Sequence, residues 1–170
     1  MAIDALVRPL LDIAIFRGLK PLQLTEIVRR AERTVYRPGQ ILIEENAEAD
    51  AAIVIVAGEA VRVSGPDLQS RAEPVPPGAL LAELAMLIET QHTSTVVARS
   101  SVRALRLPRA EIHEIMAQDP DLADHFVQKI AGRLHDMHGE LSRIYYGLDA
   151  TPAMAGPAML PQQAQHPVMH

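Results

Sequence analysis

The chain has 170 residues, a formal net charge of -5 and a pI near 5.8, a length that suits one domain with an appendage but is short for two complete domains. This acidic net charge gives no sign of the basic face that is expected of a nucleic-acid-binding domain. The absence of cysteine excludes disulfides, thiolate metal sites and thiol redox sensing.

The first predicted elements are two helices within residues 3–32. The opening stretch is apolar, but two aspartates, an arginine and a proline interrupt it: Asp4, Asp12, Arg8 and Pro9. It is therefore an amphipathic helix, too interrupted for a signal peptide and too short to span a bilayer, and we expect a cytoplasmic protein without a membrane span. The second helix should begin at Pro21, because apolar residues follow at helical spacing: Leu24, Ile27, Val28 and Ala31.

Residues 33–108 carry the pattern of many short strands. Runs such as QILIE, AAIVIVAG and EAVRVS are rich in β-branched residues and are separated by turn signals, among them Pro38-Gly39, Glu45-Asn46 and Gly58. Short strands with turns about every ten residues predict a β-sandwich or a barrel-like roll with helices at its ends. Between the strands, we expect a short helix from Leu81 to Leu87.

The helical period returns over residues 109–146. AEIHEIMAQ predicts one short helix, and Asp119-Pro120 provides an N-cap and a first-turn proline for a longer one. The longer helix carries an apolar seam with steps of three or four residues: Leu122, Phe126, Ile130, Leu134, Met137, Leu141 and Ile144. This seam indicates core packing, a dimer or partner contact, or both. Residues 147–170 are rich in Pro, Ala and Gln without a period, which predicts a flexible tail.

The sequence gives no support for catalysis or metal binding. His135 and His138 lie three positions apart on the predicted long helix, beside Asp136, but two histidines and one carboxylate fall short of a metal site, and a solvated face is favoured. The chain also has no phosphate loop, nucleophile elbow or HExxH motif. We therefore expect no metal, no cofactor and no enzyme activity.

Four features of the first half of the chain occur in a characteristic order. They are a Phe-x-x-Leu opening, a Pro-Gly turn, an acidic turn and a glycine turn: Phe16 and Leu19, Pro38 and Gly39, Asp50, and Gly58. In this the chain resembles the cyclic-nucleotide-binding domains of the catabolite activator protein, kinase regulatory subunits and gated channels, over roughly residues 10–146. The resemblance implies a mainly β fold, an antiparallel double-stranded β-helix or jelly-roll-like β-roll with N-terminal helices and a long C-terminal helix. Asn46 stands where the family usually has glycine, and asparagine tolerates the left-handed conformation better than most residues.

Residues 77–95, PGALLAELAMLIETQHTST, contain the binding motif that this resemblance implies. In the family, Phe-Gly-Glu-x-Ala holds the cyclic phosphate on backbone amides and the ribose 2′-hydroxyl on the glutamate, and the first residue of Arg-Ala-Ala-Thr-Val neutralises the phosphate. In this chain the first motif reads Leu81, Ala82, Glu83, Leu84 and Ala85, and the second reads His92, Thr93, Ser94, Thr95 and Val96. The resemblance thus implies a ribose contact for Glu83. A solvated residue in the first turn of a helix is the other interpretation.

Two positions depart from the family pattern. His92 replaces the arginine, and Ala82 replaces the glycine, so that its methyl group crowds an approaching phosphate oxygen. A charged hydrogen bond contributes about 1.5 to 3 kcal/mol, so the loss of the arginine should cost about one to two decades of affinity. With an ordinary pKa of about 6.5, His92 would be mostly neutral in the cytoplasm. Thr93 and Ser94 offer hydroxyls to a phosphate but no charge.

Two functions remain open on these residues. One is a regulatory sensor that binds cAMP, cGMP or a similar anionic ligand and acts on a protein partner through its long helix. The other is a ligand-free scaffold or accessory subunit that uses the roll for protein interaction or dimerisation. Glu83, Ala85 and the intact Thr95-Val96 favour the sensor, whereas Ala82 and His92 favour the scaffold. The family's transcription factors carry a helix-turn-helix domain after the long helix; a Pro-rich tail follows here, and we expect no direct DNA binding.

Overall fold

The computed structural model describes residues 2–63 and 72–149. Its α-helices are α1 (Ala2–Leu11), α2 (Pro21–Arg30), α3 (Arg109–Gln118) and α4 (Pro120–Asp149). Its strands are β1 (Glu32–Tyr36), β2 (Ile41–Ile43), β3 (Glu48–Ala49), β4 (Ala51–Ala57), β5 (Ala60–Val63), β6 (Ala72–Val75), β7 (Leu80–Leu81), β8 (Thr90–Gln91), β9 (Thr95–Ala98) and β10 (Val102–Pro108). A 3-10 helix, Glu83–Met86, lies between β7 and β8.

The strands form an antiparallel roll. One four-stranded sheet has the order β1-β10-β4-β7, a second has the order β2-β9-β5-β6, and β3 pairs with β8 in a two-stranded ribbon. All of these pairs are antiparallel. Helices α1 and α2 precede the roll and α3 and α4 follow it, which confirms the predicted mainly β, jelly-roll-like architecture.

Strand β4 is buried on both faces and separates two apolar cores. Because successive side chains of a strand point to opposite faces, Ile53 and Ile55 reach the core inside the roll, while Ala52 and Val54 reach the core under the helices. The inner core also contains Leu81, Val96 and Ala98, and the helix-side core contains Leu24, Ile27, Leu105 and Phe126. Burial on both faces explains why AAIVIV is an unbroken apolar run.

The predicted cap of the long helix forms as expected. Asp119 Oδ1 accepts a hydrogen bond from the backbone N–H of Leu122 at 3.2 Å, just before Pro120 begins α4. Leu122 and Phe126 are fully buried, and the ring of Phe126 contacts that of Phe16 edge to face. The first part of the predicted seam is therefore core.

The chain divides into two compact units, residues 1–130 and 131–170. In the second unit the described residues all belong to α4, and its four seam side chains are 52% to 63% exposed: Leu134, Met137, Leu141 and Ile144. The helix continues to Asp149, three residues beyond its predicted end, because Gly147 alone costs only about 1 kcal/mol in a helix and no proline follows until Pro152. The predicted tail from residue 150 lies outside the described residues.

The predicted helix from Leu81 to Leu87 is wrong at its start. Leu81 pairs with Ile53 as part of β7, and its side chain enters the inner core. Ala82 then adopts a left-handed conformation that no right-handed helix can include, so only Glu83–Met86 forms a 3-10 helix. In the described part of the chain, no helix is both long and apolar enough to cross a membrane.

Candidate functional site

The motif of Leu81 to Ala85 forms a tight turn between β7 and β8. Ala82 has φ 51° and ψ 45°, and its carbonyl accepts a hydrogen bond from the N–H of Ala85 at 2.9 Å. The Leu84 carbonyl accepts from the N–H groups of Leu87 and Ile88, both at 2.9 Å. The side chain of Ala85 is fully buried and anchors the turn, while Leu84 is exposed and Glu83 is half-buried. The turn thus presents Glu83 from a fixed backbone.

The backbone keeps a glycine geometry at both positions where the sequence departs from glycine. Among the described residues, Asn46 (φ 66°) and Ala82 (φ 51°) are the non-glycine residues with positive φ. A left-handed conformation costs an ordinary residue roughly 1 to 2 kcal/mol, and asparagine less. Ala82 therefore keeps the strained left-handed conformation and does not relax to a negative φ. Strain of this kind is common where a backbone turn forms part of a binding site.

We expect Ala82→Gly to raise the free energy of unfolding by about 1 kcal/mol, because glycine adopts positive φ without the steric cost of a Cβ atom. The measurement is urea denaturation followed by circular dichroism. Asn46→Gly is the matched control, with a gain of only a few tenths of a kcal/mol. If Ala82→Gly gained only the few tenths of a kcal/mol expected of Asn46→Gly, Ala82 would not be strained.

His92 lies beside the turn at Asn46 and is partly buried. Its N–H donates to the Ala47 carbonyl at 3.0 Å, and its carbonyl accepts from the Asn46 N–H at 2.8 Å, so its backbone extends the β3–β8 ribbon. Burial of the ring lowers the pKa of His92, and the Asp50 carboxylate only partly opposes this. The sequence-based expectation of an ordinary pKa is corrected accordingly: His92 is neutral at neutral pH and supplies even less charge than expected.

The three hydroxyl residues after His92 differ in their surroundings. Thr93 is exposed, whereas Ser94 is only 7% exposed. Thr95 Oγ1 accepts a hydrogen bond from the N–H of Glu45 at 3.0 Å and so holds the turn at Glu45 and Asn46 against β9. Of the two hydroxyls predicted to face a phosphate, Ser94 is the one that the structure turns toward the protein interior.

Arg62 is a polar residue near this site that was not identified from the sequence. It lies in β5, opposite Val96 of β9, and its Nε atom is buried. The signal is present in the run Ala60-Val61-Arg62-Val63, where an arginine occupies the same face as Ala60 in an otherwise apolar alternation. Which face is the inner one depends on the sheet pairing and could not be read from the run alone.

The two histidines that were considered as metal ligands lie on the long helix. His135 and His138 are exposed on α4. Within residues 2–63 and 72–149, no group of three or more His, Cys, Asp or Glu side chains is arranged to hold a metal ion.

Comparison with known proteins identifies relatives of the roll. The model of the cyclic nucleotide-binding domain family matches residues 33–119. The cAMP-dependent protein kinase regulatory subunit of Aspergillus fumigatus is 26% identical over 111 residues, which cover 65% of this chain and 27% of that protein. The chain thus spans about a quarter of the length of this curated relative.

Two solved structures share the fold. The N-terminal domain of a transcriptional regulator from Streptomyces coelicolor A3(2) matches with a TM-score of 0.70 and 22% identity, over 76% of this chain and 94% of that one. A cyclic nucleotide-binding-like protein from Brucella abortus matches with a TM-score of 0.60 and 31% identity, over 65% of this chain and 97% of that one. The similarity therefore spans nearly the whole of each of these two solved chains.

Proposed function

Because the chain belongs to the cyclic nucleotide-binding domain family, we propose that it is a regulatory module that senses a cyclic nucleotide, or a similar anionic ligand, weakly or with altered preference. The observation that carries this proposal is the left-handed Ala82 immediately before Glu83. A left-handed backbone conformation at an alanine lowers stability, and strain of this kind is found mainly where the strained turn takes part in binding or catalysis. A ribose hydroxyl donating to the Glu83 carboxylate is the contact that the family resemblance suggests.

The weakness of the binding follows from two side chains. The methyl group of Ala82 narrows the space over the turn, and His92 is neutral because burial lowers its pKa. Without an arginine at position 92, the ligand loses a charged hydrogen bond of about 1.5 to 3 kcal/mol. Affinity should therefore lie about one to two decades below that of a motif with both family residues.

Isothermal titration of the purified chain with cAMP, cGMP and a cyclic dinucleotide tests the proposal. We expect heat of binding with at least one of them and none with linear 5′-AMP, because the turn should favour a cyclic phosphate. The absence of binding up to about 1 mM ligand, a free energy of about -4 kcal/mol, would contradict the sensor. The alternative function, a ligand-free scaffold or accessory subunit, would then be preferred.

The exposed part of the apolar seam supports action through another protein. Leu134, Met137, Leu141 and Ile144 follow one another at three- and four-residue steps, and each is more than half exposed. A continuous apolar stripe of this kind commonly marks an interaction surface. We propose that it pairs with a second copy of the chain or with another protein, and that ligand binding changes this contact.

Met137→Asp and Leu141→Asp should each convert a dimer into a monomer, because each places a charge within the apolar seam. Light scattering coupled to size-exclusion chromatography measures the mass. The matched control is His135→Asp, which adds the same side chain to α4 outside the seam and should leave the dimer intact. A monomeric wild-type chain would contradict the homodimer, and unchanged solubility and stability of both variants would also count against a seam for another protein.

A further inference from the structure

The inner face of β5 carries one charged residue. In β5, Ala60 belongs to the core inside the roll, and Arg62 lies two positions later, on the same face. Arg62 also stands directly opposite Val96 of β9, which belongs to that same core. Directly opposed residues of an antiparallel pair share a face. The Arg62 side chain therefore begins on the inner face of the roll.

Among the described residues, no carboxylate forms an ion pair with Arg62, which is partly exposed as a whole residue. Its Nε atom is buried, and no residue of the described chain accepts a hydrogen bond from it. Glu73 stands opposite Arg62 on β6 but is exposed, and no ion pair within 4.0 Å joins the two among the described residues. An arginine stays protonated at any pH of interest and offers five N–H donors. A buried donor without a partner is unusual in a native protein and needs an explanation.

The position of Arg62 relative to the candidate site suggests that explanation. Ser94 is buried immediately before β9, two positions before Val96, the residue that stands opposite Arg62. Leu81, the last residue before the left-handed turn, belongs to the same inner core. Arg62 therefore faces the inner core to which Leu81, next to the turn, and Val96, two positions after Ser94, both belong.

We propose that Arg62 supplies, from β5, part of the positive charge that position 92 lacks, and that it binds the phosphate of an anionic ligand held inside the roll. This inference rests on the proposed function. Planar guanidinium donors pair with two phosphate oxygens at once, which a neutral histidine cannot do. A phosphate oxygen of the bound ligand would then accept the hydrogen bond that the buried Nε atom otherwise lacks.

The test compares Arg62→Met with the wild type by titration with cAMP and cGMP. Methionine keeps much of the length and removes the charge, and we expect at least a tenfold loss of affinity. Arg62→Lys should recover part of it, because lysine keeps the charge without the paired donors. Arg103→Met on β10 is the matched control, since Arg103 is exposed, and its affinity should equal that of the wild type. Unchanged affinity in Arg62→Met would overturn this inference and leave the sensor intact.

A second measurement separates this inference from the proposed function. Thermal unfolding is followed with and without inorganic phosphate, which requires no nucleotide. We expect phosphate to raise the Tm of the wild type and of Arg103→Met but not of Arg62→Met. If no nucleotide binds but phosphate still raises the Tm of the wild type and not that of Arg62→Met, the nucleotide-sensor function is contradicted and the anion site at Arg62 is supported. The anion site is overturned if phosphate raises the Tm of Arg62→Met as much as that of the wild type. It is also overturned if phosphate raises the Tm of neither protein.

Discussion

Gly58→Ala is expected to destabilise the β-roll by about 3 kcal/mol or more. Gly58 connects β4 to β5 with φ +92°, a region that an alanine rarely adopts. A Cβ atom at this position would lie 2.3 Å from the Ser101 carbonyl oxygen and 2.8 Å from the Val102 Cα atom. Both are backbone atoms, one immediately before β10 and one in its first residue, so the sheet itself would have to move.

Urea denaturation of Gly58→Ala measures this loss. Gly39→Ala is the matched control, because Gly39 has φ +86° but no atom within 4 Å of an added Cβ. It should lose only the roughly 1 to 2 kcal/mol of the left-handed conformation. Equal losses in the two variants would show that the conformation, and not the contact with β10, accounts for the glycine.

The elements that were predicted correctly are those with local signals. Pro21 and the Asp119-Pro120 pair mark helix starts by the chemistry of the first turn, and α2 and α4 begin where these residues stand. The strands of the roll follow from β-branched runs and turn residues. The helix predicted from Leu81 failed because the pairing of Leu81 with Ile53 comes from a strand far away in sequence.

The features of the candidate site likewise fall into those that the local sequence predicts and those that depend on tertiary structure. The positions of Glu83 and His92 follow from a motif, which is local and can be read from the sequence. The lowered pKa of His92 comes from burial, and the inward direction of Arg62 comes from the register of β5 with β9. Both depend on tertiary structure, so no run of residues around either position reveals them.

His92→Arg is expected to strengthen cyclic-nucleotide binding by about tenfold or more, because it adds a permanent charge where the family resemblance has arginine. The gain should depend on pH. Since burial lowers the pKa of His92, the wild-type side chain is neutral through the neutral range and becomes protonated only in acid. Protonated histidine attracts the phosphate, so wild-type affinity should rise as the pH falls, and the advantage of the arginine should shrink there.

Glu83→Ala provides the opposite test at the same site. Removing the carboxylate that would accept the ribose hydroxyl should abolish ribose-dependent binding, while the fold should persist because Glu83 is only half-buried. Titration calorimetry of the wild type, His92→Arg and Glu83→Ala at pH 7.5 and pH 6, with circular dichroism to verify folding, compares these effects. The scaffold function expects no response to either substitution. If folded His92→Arg binds no cyclic nucleotide, a missing charge is not what weakens the site, and a protein-docking role replaces the sensor.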